Sequence, residues 1–506
     1  MTVPTPVTPI DAVPGDVADR LDAARVAVDP DLTRRLGDVC DTVSVLDADR
    51  AEAARDWWPL AIGWAAAGTV PSRPALVARP TDTAQVSAVL ALCDAARVPV
   101  TAAGGRSGVC GASIPLFGGV ALDLCGLAGI GQVDETSLVA DLRAGTFGPE
   151  VEAGLRSGHG LTLGHWPQSM DLSTVGGWLA CRGAGQYSNR YGKIEDMVLG
   201  LEVVLADGRV VRTGGRGPRS ATGPDLTQLF VGSEGTLGVI TEGRFRVHPV
   251  PTGEGRRAVG FPSFAEGLDA CRRILRRGAT PAVLRLYDAT ESGRSFDRPD
   301  TNVLIVLDEA DPGLVAATLD VVDQECAGSE TLDVALVDRW LDHRNDVSAL
   351  APLWRAGVVV DTVEVSARWH VLPGLYRDVL SALDAVPGTL VASSHQSHAY
   401  TDGACLYFTF AGRPPEDEAA DPARADRWIG AYYRRAWDEV SGATLAAGGA
   451  LSHHHGIGLN RGRFLADALG PAFDVLASIK SALDPHGILN PGKLGLDSPF
   501  GPVPWP

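Results

Sequence analysis

Lysine is almost missing from this sequence. Lys193, Lys480 and Lys493 are the only three, and arginine supplies the rest of the positive charge. The formal net charge is -18, with no basic run to offset it. Such a chain repels phosphate backbones, which argues against a nucleic-acid partner, and an anionic substrate would need a local cluster of arginines working against the overall field. No C-x-x-C pair occurs among Cys40, Cys93, Cys110, Cys125, Cys181, Cys271, Cys326 and Cys405, so a zinc ribbon or thioredoxin-type site is not expected. Free thiols in a reducing cytoplasm are the expectation. No apolar run reaches the ~18 residues of a membrane span. The opening MTVPTPVTPIDAVPGD has neither the basic nor the apolar stretch of a signal peptide, and the closing GPVPWP is not a peroxisomal S-K-L address. No G-x-G-x-x-G opens a helix and no G-K-[ST] occurs, so neither a Rossmann site nor a P-loop is indicated.

What is present suits a loop-rich enzyme. The chain has 506 residues, 45% of them hydrophobic, with 59 glycines, enough for two or three packed domains. Residues 1–20 are rich in Pro, Val and Thr and are expected to lack order. Short helices are predicted over 31–72, around Trp57, Trp58 and Trp64. A strand at 75–79, a helix at 83–97 after an N-cap in Thr81-Asp82-Thr83, and strands at 98–102 and 120–124 form a β-α-β unit with a glycine turn after its second strand. A strand pair follows at 133–147, then a hairpin at 198–213 around Asp207-Gly208, and a closing strand at 237–247. Beyond Pro249 and Pro251, strands at 302–307, 358–365 and 405–410 alternate with helices at 263–277, 312–326 and 372–384. The tail returns to helix around the run HHHGIG.

Three glycine loops lie between strands of the first part: Ala103-Gly104-Gly105-Arg106-Ser107-Gly108, Ser173-Thr174-Val175-Gly176-Gly177 running on to Arg182, and Gly232-Ser233-Glu234-Gly235-Thr236-Leu237-Gly238. Glycine lets the backbone approach a ligand closely, so successive N–H groups can converge on a pyrophosphate. One such loop would be read as a turn. Three at strand ends of one domain favour a phosphate-bearing cofactor.

The segments RPALVARPTDTAQVSAVLALCDAARVPVTAAGGRSGVCG, STVGGWLACRGAGQYSNRYGKIEDMV and LFVGSEGTLGVITEGRFRVHP resemble, in order and spacing, the FAD-binding motifs of the vanillyl-alcohol oxidase/p-cresol methylhydroxylase superfamily. The resemblance implies an α+β fold, a two-part PCMH-type FAD-binding domain with an α/β cap. It divides the chain into an N-terminal extension and helical segment (1–72), the FAD domain (73–250), the cap (251–440), and a C-terminal segment (441–506) that carries HHHG and packs back on the FAD domain. It also implies that Ala103, Gly104, Gly105, Arg106, Ser107 and Gly108 cradle the pyrophosphate. Ser169, Asp171, Ser173, Thr174, Gly176, Gly177 and Arg182 would line the cofactor, and Glu234, Gly235, Thr236, Gly238, Val239 and Ile240 would contribute mostly backbone. The first loop lacks the histidine by which some relatives tether FAD, so non-covalent FAD is expected. His159 and His165 are read as surface or structural groups.

Within the superfamily, the run Ser397-His398-Ala399-Tyr400-Thr401-Asp402-Gly403-Ala404-Cys405-Leu406-Tyr407 departs from the histidine motif of the 2-hydroxy-acid dehydrogenases. It resembles instead alkylglycerone-phosphate synthase, as do His453-His454-His455-Gly456, Trp178 and the YGKIED run. That likeness implies Tyr407 as acid/base, His453, His454 and His455 as the essential histidine cluster, and Arg285 as an arginine needed for activity. The phosphate-binding arginine of that family has no counterpart at the same spacing; Arg344 and Arg355 are the nearest candidates. The implied reaction attaches an acylated dihydroxyacetone phosphate-type substrate to flavin N5, exchanges acyl for alkyl, and makes an ether lipid without net redox. The alternative is an FAD-linked oxidoreductase of a hydroxy acid, alcohol or amine. A flavin carrier would need no Tyr/His constellation. The expected partner is a small-molecule or lipid-like substrate, and a homodimer is compatible with the family.

Adjacent histidines splay ~100° apart on a helix and face opposite sides of a strand, so no metal is expected on the triplet. His395 and His398 form an H-x-x-H pair that could chelate, but they lack a third partner. On the strand around Tyr407, residues 405, 407 and 409 share one face, expected to look at the flavin, while 406, 408 and 410 pack inward on the cap helices.

Overall fold

The computed structural model describes residues 17–347 and 350–505. Of the N-terminal stretch expected to lack order, residues 1–16 lie outside that range. Residues 17–20 do not behave as expected: Ala18–Asp19 pairs in parallel with Thr69–Val70.

The first sheet has four strands in the order Thr42–Ser44, Leu76–Arg79, Val120–Asp123, Val100–Ala103. Its last three run parallel, joined by the helix Thr83–Ala96, whose Asp82 N-cap accepts from the Gln85 N–H. These strands are apolar on both faces because helices cover both sides. The second sheet is antiparallel, in the order Val210–Gly214, Val198–Val204, Val239–Arg246, Val139–Arg143, Ile130–Asp134, with the Asp207-Gly208 turn where the pattern places it.

The third sheet has seven antiparallel strands: Glu330–Thr331, Gly253–Phe261, Asn302–Ala310, Val283–Tyr287, Thr389–Ala399, Gly403–Gly412 and Val359–Arg368. One face is dry. Leu406, Phe408 and Phe410 are fully buried in a core shared with the helices Leu372–Asp384 and Pro422–Ala446. The other face looks toward the first two sheets.

The boundary expected at 440/441 falls inside the 25-residue helix Pro422–Ala446. The cap therefore runs to the end of that helix, and the chain then crosses back as a loop, 447–461, that carries the three histidines. The N-terminal segment also spans domains. The Trp57 N–H bonds the carbonyl of Gly108 in the first glycine loop, and the Trp58 indole donates to the Tyr433 hydroxyl on the cap helix at 2.8 Å. All eight cysteines are free.

Candidate active site

A cavity of about 800 Å³ opens where the three sheets meet, within the range of cofactor and substrate pockets. All six residues from Ala103 to Gly108 line it, as do Ser169, Ser173, Thr174, Gly176, Gly177, Glu234, Gly235, Gly238, Val239 and Ile240. Three residues expected here do not. Asp171 is exposed and outside the lining. Arg182 takes the left-handed conformation (φ 60°) that ends the helix Val175–Cys181, and its side chain turns outward to Glu195 at 3.3 Å. Thr236 is buried, but its hydroxyl closes a local turn on the Ser233 carbonyl. A motif match carries these positions along; the helix cap and the turn explain why the residues are there.

The glycines answer two different demands. A Cβ on Gly104 would lie 2.1 Å from Thr174 Oγ1, and one on Gly105 would lie 2.0 Å from the Leu172 carbonyl, so protein packing alone requires them. At Gly177 the nearest atom would be Thr174 Oγ1 at 3.5 Å, so there the protein leaves room and the cavity gains the space.

The cap supplies the titratable side chains. Strand register sets Tyr287, His395, Tyr407 and Glu364 in one row across four neighbouring strands. The rings stack along the row: Tyr287 on His395 (5.1 Å, 26°) and His395 on Tyr407 (4.8 Å, 21°). Arg285 Nη2 lies 2.6 Å from His395 Nε2. A guanidinium can only donate, so Nε2 is the acceptor and the ring proton sits on Nδ1, 2.8 Å from Glu291. Burial, with Arg285 adding to it and Glu291 opposing, holds His395 below the ordinary histidine range. Tyr407 accepts from Thr362 Oγ1 at 3.0 Å, and burial raises its phenol well above the ordinary value, so it rests protonated.

His395 and His398 are three apart and would face opposite sides of a regular strand. A bulge between Gln396 and His398 turns both into the cavity. The sequence carries no signal for that irregularity.

The histidine triplet is neither helix nor strand. Its loop is held by its backbone between two buried carboxylates. Glu364, from the cap, accepts from the N–H of His453 and of His455 (2.8 Å) and lies 3.1 Å from the Arg461 guanidinium. Burial would raise Glu364, but Arg461 and the loop N–H groups that donate to it outweigh that and hold the carboxyl well below the carboxylate range. Glu234, from the third glycine loop, accepts from the N–H of Ile457 (2.7 Å) and Gly458 (2.8 Å). Its side chain thus grips the histidine loop, a role the sequence did not reveal. In this loop the reasoning that neighbouring histidines must splay apart fails: His453 and His454 turn Nδ1 to Nδ1 at 3.0 Å, and ring nitrogens of His398, His453 and His454 come within 4.8 Å of one another. His454 and His455 line the cavity, and His453 stands behind them.

Of the two arginines expected as candidates for substrate, Arg344 lines the cavity and Arg355 is exposed outside it. The Arg344 guanidinium sits over Trp166 (5.6 Å), Tyr187 (5.1 Å) and Trp340 (5.7 Å) and makes no ion pair among the described residues. Arg285, Arg294 and Arg339 line the same cavity, but Arg294 lies 3.3 Å from Glu291, Arg339 pairs with Asp297 at 2.7 Å and Arg285 bonds His395. His159 pairs with Glu135 near the surface, as read. His165 is different: it lines the cavity, is fully buried, and has no hydrogen-bond partner on either ring nitrogen among the described residues. Burial pulls it down to about 3.

A sequence profile of the FAD binding domain matches residues 74–214, and one of the C-terminal domain of FAD linked oxidases matches 256–494. The chain is 31% identical over 440 residues to the uncharacterized FAD-linked oxidoreductase YgcU of Escherichia coli (strain K12), covering 83% of this chain and 89% of that one. It belongs to the FAD-linked oxidases. Alkyldihydroxyacetonephosphate synthase of Dictyostelium discoideum is 29% identical over 469 residues, 84% of this chain and 74% of that one. The crystal structure of p-cresol methylhydroxylase with substrate bound superposes with a TM-score of 0.74 at 18% identity, over 94% of this chain and 99% of that one, which shows the shared two-part PCMH-type fold.

FAD is the cofactor of this FAD-linked oxidase, and the cavity fits it. Arg106 Nε and Nη2, Ser113 Oγ and Thr174 Oγ1 are buried around the glycine loops without hydrogen-bond partners among the described residues, as expected of donors kept for phosphate and ribityl oxygens.

Proposed function

We propose that this FAD-linked oxidase carries out an alkylglycerone-phosphate synthase-type exchange, replacing the acyl group of an acylated dihydroxyacetone phosphate-type substrate by an alkyl group. The observation that carries this reading is the convergence on Tyr407 of three imidazoles (His395, His454, His455), with Arg285 and Arg344 lining the same cavity. Bound flavin supplies an electrophilic ring against which a substrate carbanion is stabilised. The protein supplies the rest.

The anionic end of the substrate is received by Arg344, whose aromatic surround keeps the guanidinium in place without neutralising it. Val347, Leu350 and Leu353 line the cavity beside it and offer apolar surface to a chain. Neutral imidazoles are the resting bases, since burial holds His454 down to about 3 and His455 to about 4. Tyr407 holds its proton and is the resting acid. A substrate proton therefore passes to an imidazole nitrogen, and the acyl chain leaves as a fatty acid with a proton from Tyr407. The fatty alcohol that replaces it gives its hydroxyl proton back to Tyr407, and the imidazole returns its proton to the substrate carbon. Asp171, Arg182, Thr236 and Arg355 have no part in this scheme. Arg285 acts by fixing the His395 tautomer.

The similarity to YgcU favours a second reading, a true oxidoreductase acting on a hydroxy acid, alcohol or amine. Anaerobic mixing with acyl dihydroxyacetone phosphate plus hexadecanol, and separately with 2-hydroxy acids, separates the two. The synthase reading expects alkyl exchange with no lasting bleaching of the flavin. Full bleaching by a hydroxy acid, with no exchange, would refute it.

A further inference from the structure

His398 and His454 both line the cavity, and behind its wall an unbroken chain of hydrogen bonds joins them. His398 Nδ1 lies 2.9 Å from Ser188 Oγ, and Ser188 Oγ lies 3.2 Å from the Tyr400 hydroxyl. That hydroxyl is 2.9 Å from His453 Nε2, and His453 Nδ1 is 3.0 Å from His454 Nδ1. Ser188, Tyr400 and His453 are not part of the cavity lining. The Nε2 atoms of His398 and His454 have no hydrogen-bond partner among the described residues, so each end of the chain keeps one nitrogen for whatever occupies the cavity.

Every link in this chain can both give and take a proton. With all three imidazoles neutral, only two arrangements satisfy every contact and also use both hydroxyl protons within the chain; in any other, Ser188 or Tyr400 accepts twice and its own proton is left without an acceptor there. In one, His398 donates to Ser188, Ser188 to Tyr400, Tyr400 to His453, and His453 to His454. His398 Nε2 is then bare and His454 carries its remaining proton on Nε2. In the other, every donor and acceptor is reversed. Burial keeps His398 well below its ordinary range and pulls His453 and His454 to about 3, which keeps the three rings neutral. The backbone grip of Glu364 on the loop fixes the rings that must stay in line.

We propose that Ser188, Tyr400 and His453 form a proton relay that couples His398 and His454 as a conjugate base and acid on opposite ends of one wire. A proton accepted at His398 Nε2 forms one N–H bond there and breaks Nδ1–H. Each following group takes one proton and passes one on, and Nε2–H of His454 breaks to deliver a proton back into the cavity. One proton enters, one leaves, no charge is stranded in the wall, and the second arrangement is left ready for the reverse transfer. This rests on the reading that the cavity exchanges protons with its substrate. It adds that His454 does not act alone as a base: in the reverse transfer, a proton it takes at Nε2 is matched by one released at His398 Nε2. Tyr400 and Ser188 are relay residues acting through the histidines, not catalytic residues themselves.

The test uses full-length, FAD-loaded protein labelled with 15N-histidine, so that ring-nitrogen shifts report tautomers without any substrate. Assignment comes from single His→Gln variants. The relay expects neutral rings at pH 7.5, with His398 and His454 protonated on opposite nitrogens or exchanging in concert between the two patterns. Tyr400→Phe should uncouple them and shift the His453 ring signals, while flavin occupancy and melting temperature stay near those of the parent. Ser188→Ala cuts the wire at a second link and should give the same uncoupling. With acyl dihydroxyacetone phosphate as probe, Tyr400→Phe should also slow substrate deuterium wash-in by ~10²-fold. The same tautomer on His398 and His454, an imidazolium at either, or signals indifferent to both variants would overturn the relay. So would about one equivalent of a divalent metal that is lost in His398→Gln, since the rings would then be ligands. If Tyr407→Phe left turnover normal while the coupled tautomers remained, the proposed function would fail and the relay would stand.

Discussion

The glycine loops of the FAD domain and the histidine wall of the cap meet the same cavity, but they are built by opposite means. The loops work through backbone: small residues, close backbone approach, and a Cβ forbidden within 2.0 Å of Leu172 O at Gly105. The wall works through side chains brought from five separate places: Arg285 and Tyr287, His395 and His398, Tyr407, Glu364, and the loop 452–458. A backbone site is written in local sequence and tolerates little change. A side-chain site depends on register, and its members can be removed one at a time.

The largest effect that would sharpen this contrast is at the glycines. Gly105→Val should abolish flavin binding and lower the melting temperature together, because the new side chain strikes the backbone. Gly177→Leu should abolish flavin binding with little loss of stability, since only the cavity is filled. Flavin content and melting curves of the two variants check this, and stoichiometric FAD in either would break the loop assignment.

Next comes Glu364. Glu364→Ala leaves Arg461 and two loop N–H groups buried without their acceptor, a cost of about 3–5 kcal/mol. Denaturant unfolding should show that loss, and hydrogen exchange should rise across 451–458. Unchanged protection there would mean that the loop is not held by its backbone.

Acid should act on the wall before the loops. His165, His453 and His454 are pulled to about 3 and His455 to about 4, in each case first by burial. A histidine whose folded value is depressed adds stability that is fully present above its unfolded value of ~6.5 and is lost as pH falls toward the folded value. At pH 5 each would cost at most about 2 kcal/mol. The melting temperature should fall between pH 6.5 and 5, and His455→Gln should make that slope shallower. A flat profile would contradict the buried, neutral wall.

The smallest effect is expected at Arg344. Arg344→Lys keeps the charge but loses the flat packing on Trp166, Tyr187 and Trp340. KM for an anionic substrate should rise ~10-fold, a loss of about 1.4 kcal/mol, with kcat nearly unchanged.

The same contrast explains what could be read in advance. The β-α-β unit, the Asp207-Gly208 hairpin and the cap strands carry their own local patterns, and the structure has them within a few residues. The glycine loops were legible because their chemistry is local. Tyr407 was legible because alternation along Gly403–Gly412 separates its face from Leu406, Phe408 and Phe410. The long strand Thr389–Ala399 was missed because Ser, His and Gln fill it, buried only through hydrogen bonds to neighbouring elements. His165 was set aside because one histidine gives no hint of its surroundings. Local sequence marks Glu234 only as a backbone contact, since the loop it grips lies more than two hundred residues away. Arg182 and Thr236 sit inside a matching motif for reasons of helix capping and turn geometry.

The central claim is that the cap wall carries out proton chemistry and does not merely pack. Tyr407→Phe removes one hydroxyl and leaves the ring stack on His395 intact. Turnover and melting temperature of that single variant, measured at full FAD occupancy, test the claim most directly. The account predicts a fall in turnover of ~10²-fold or more with a melting temperature close to the parent. Near-normal turnover with a lowered melting temperature would contradict it.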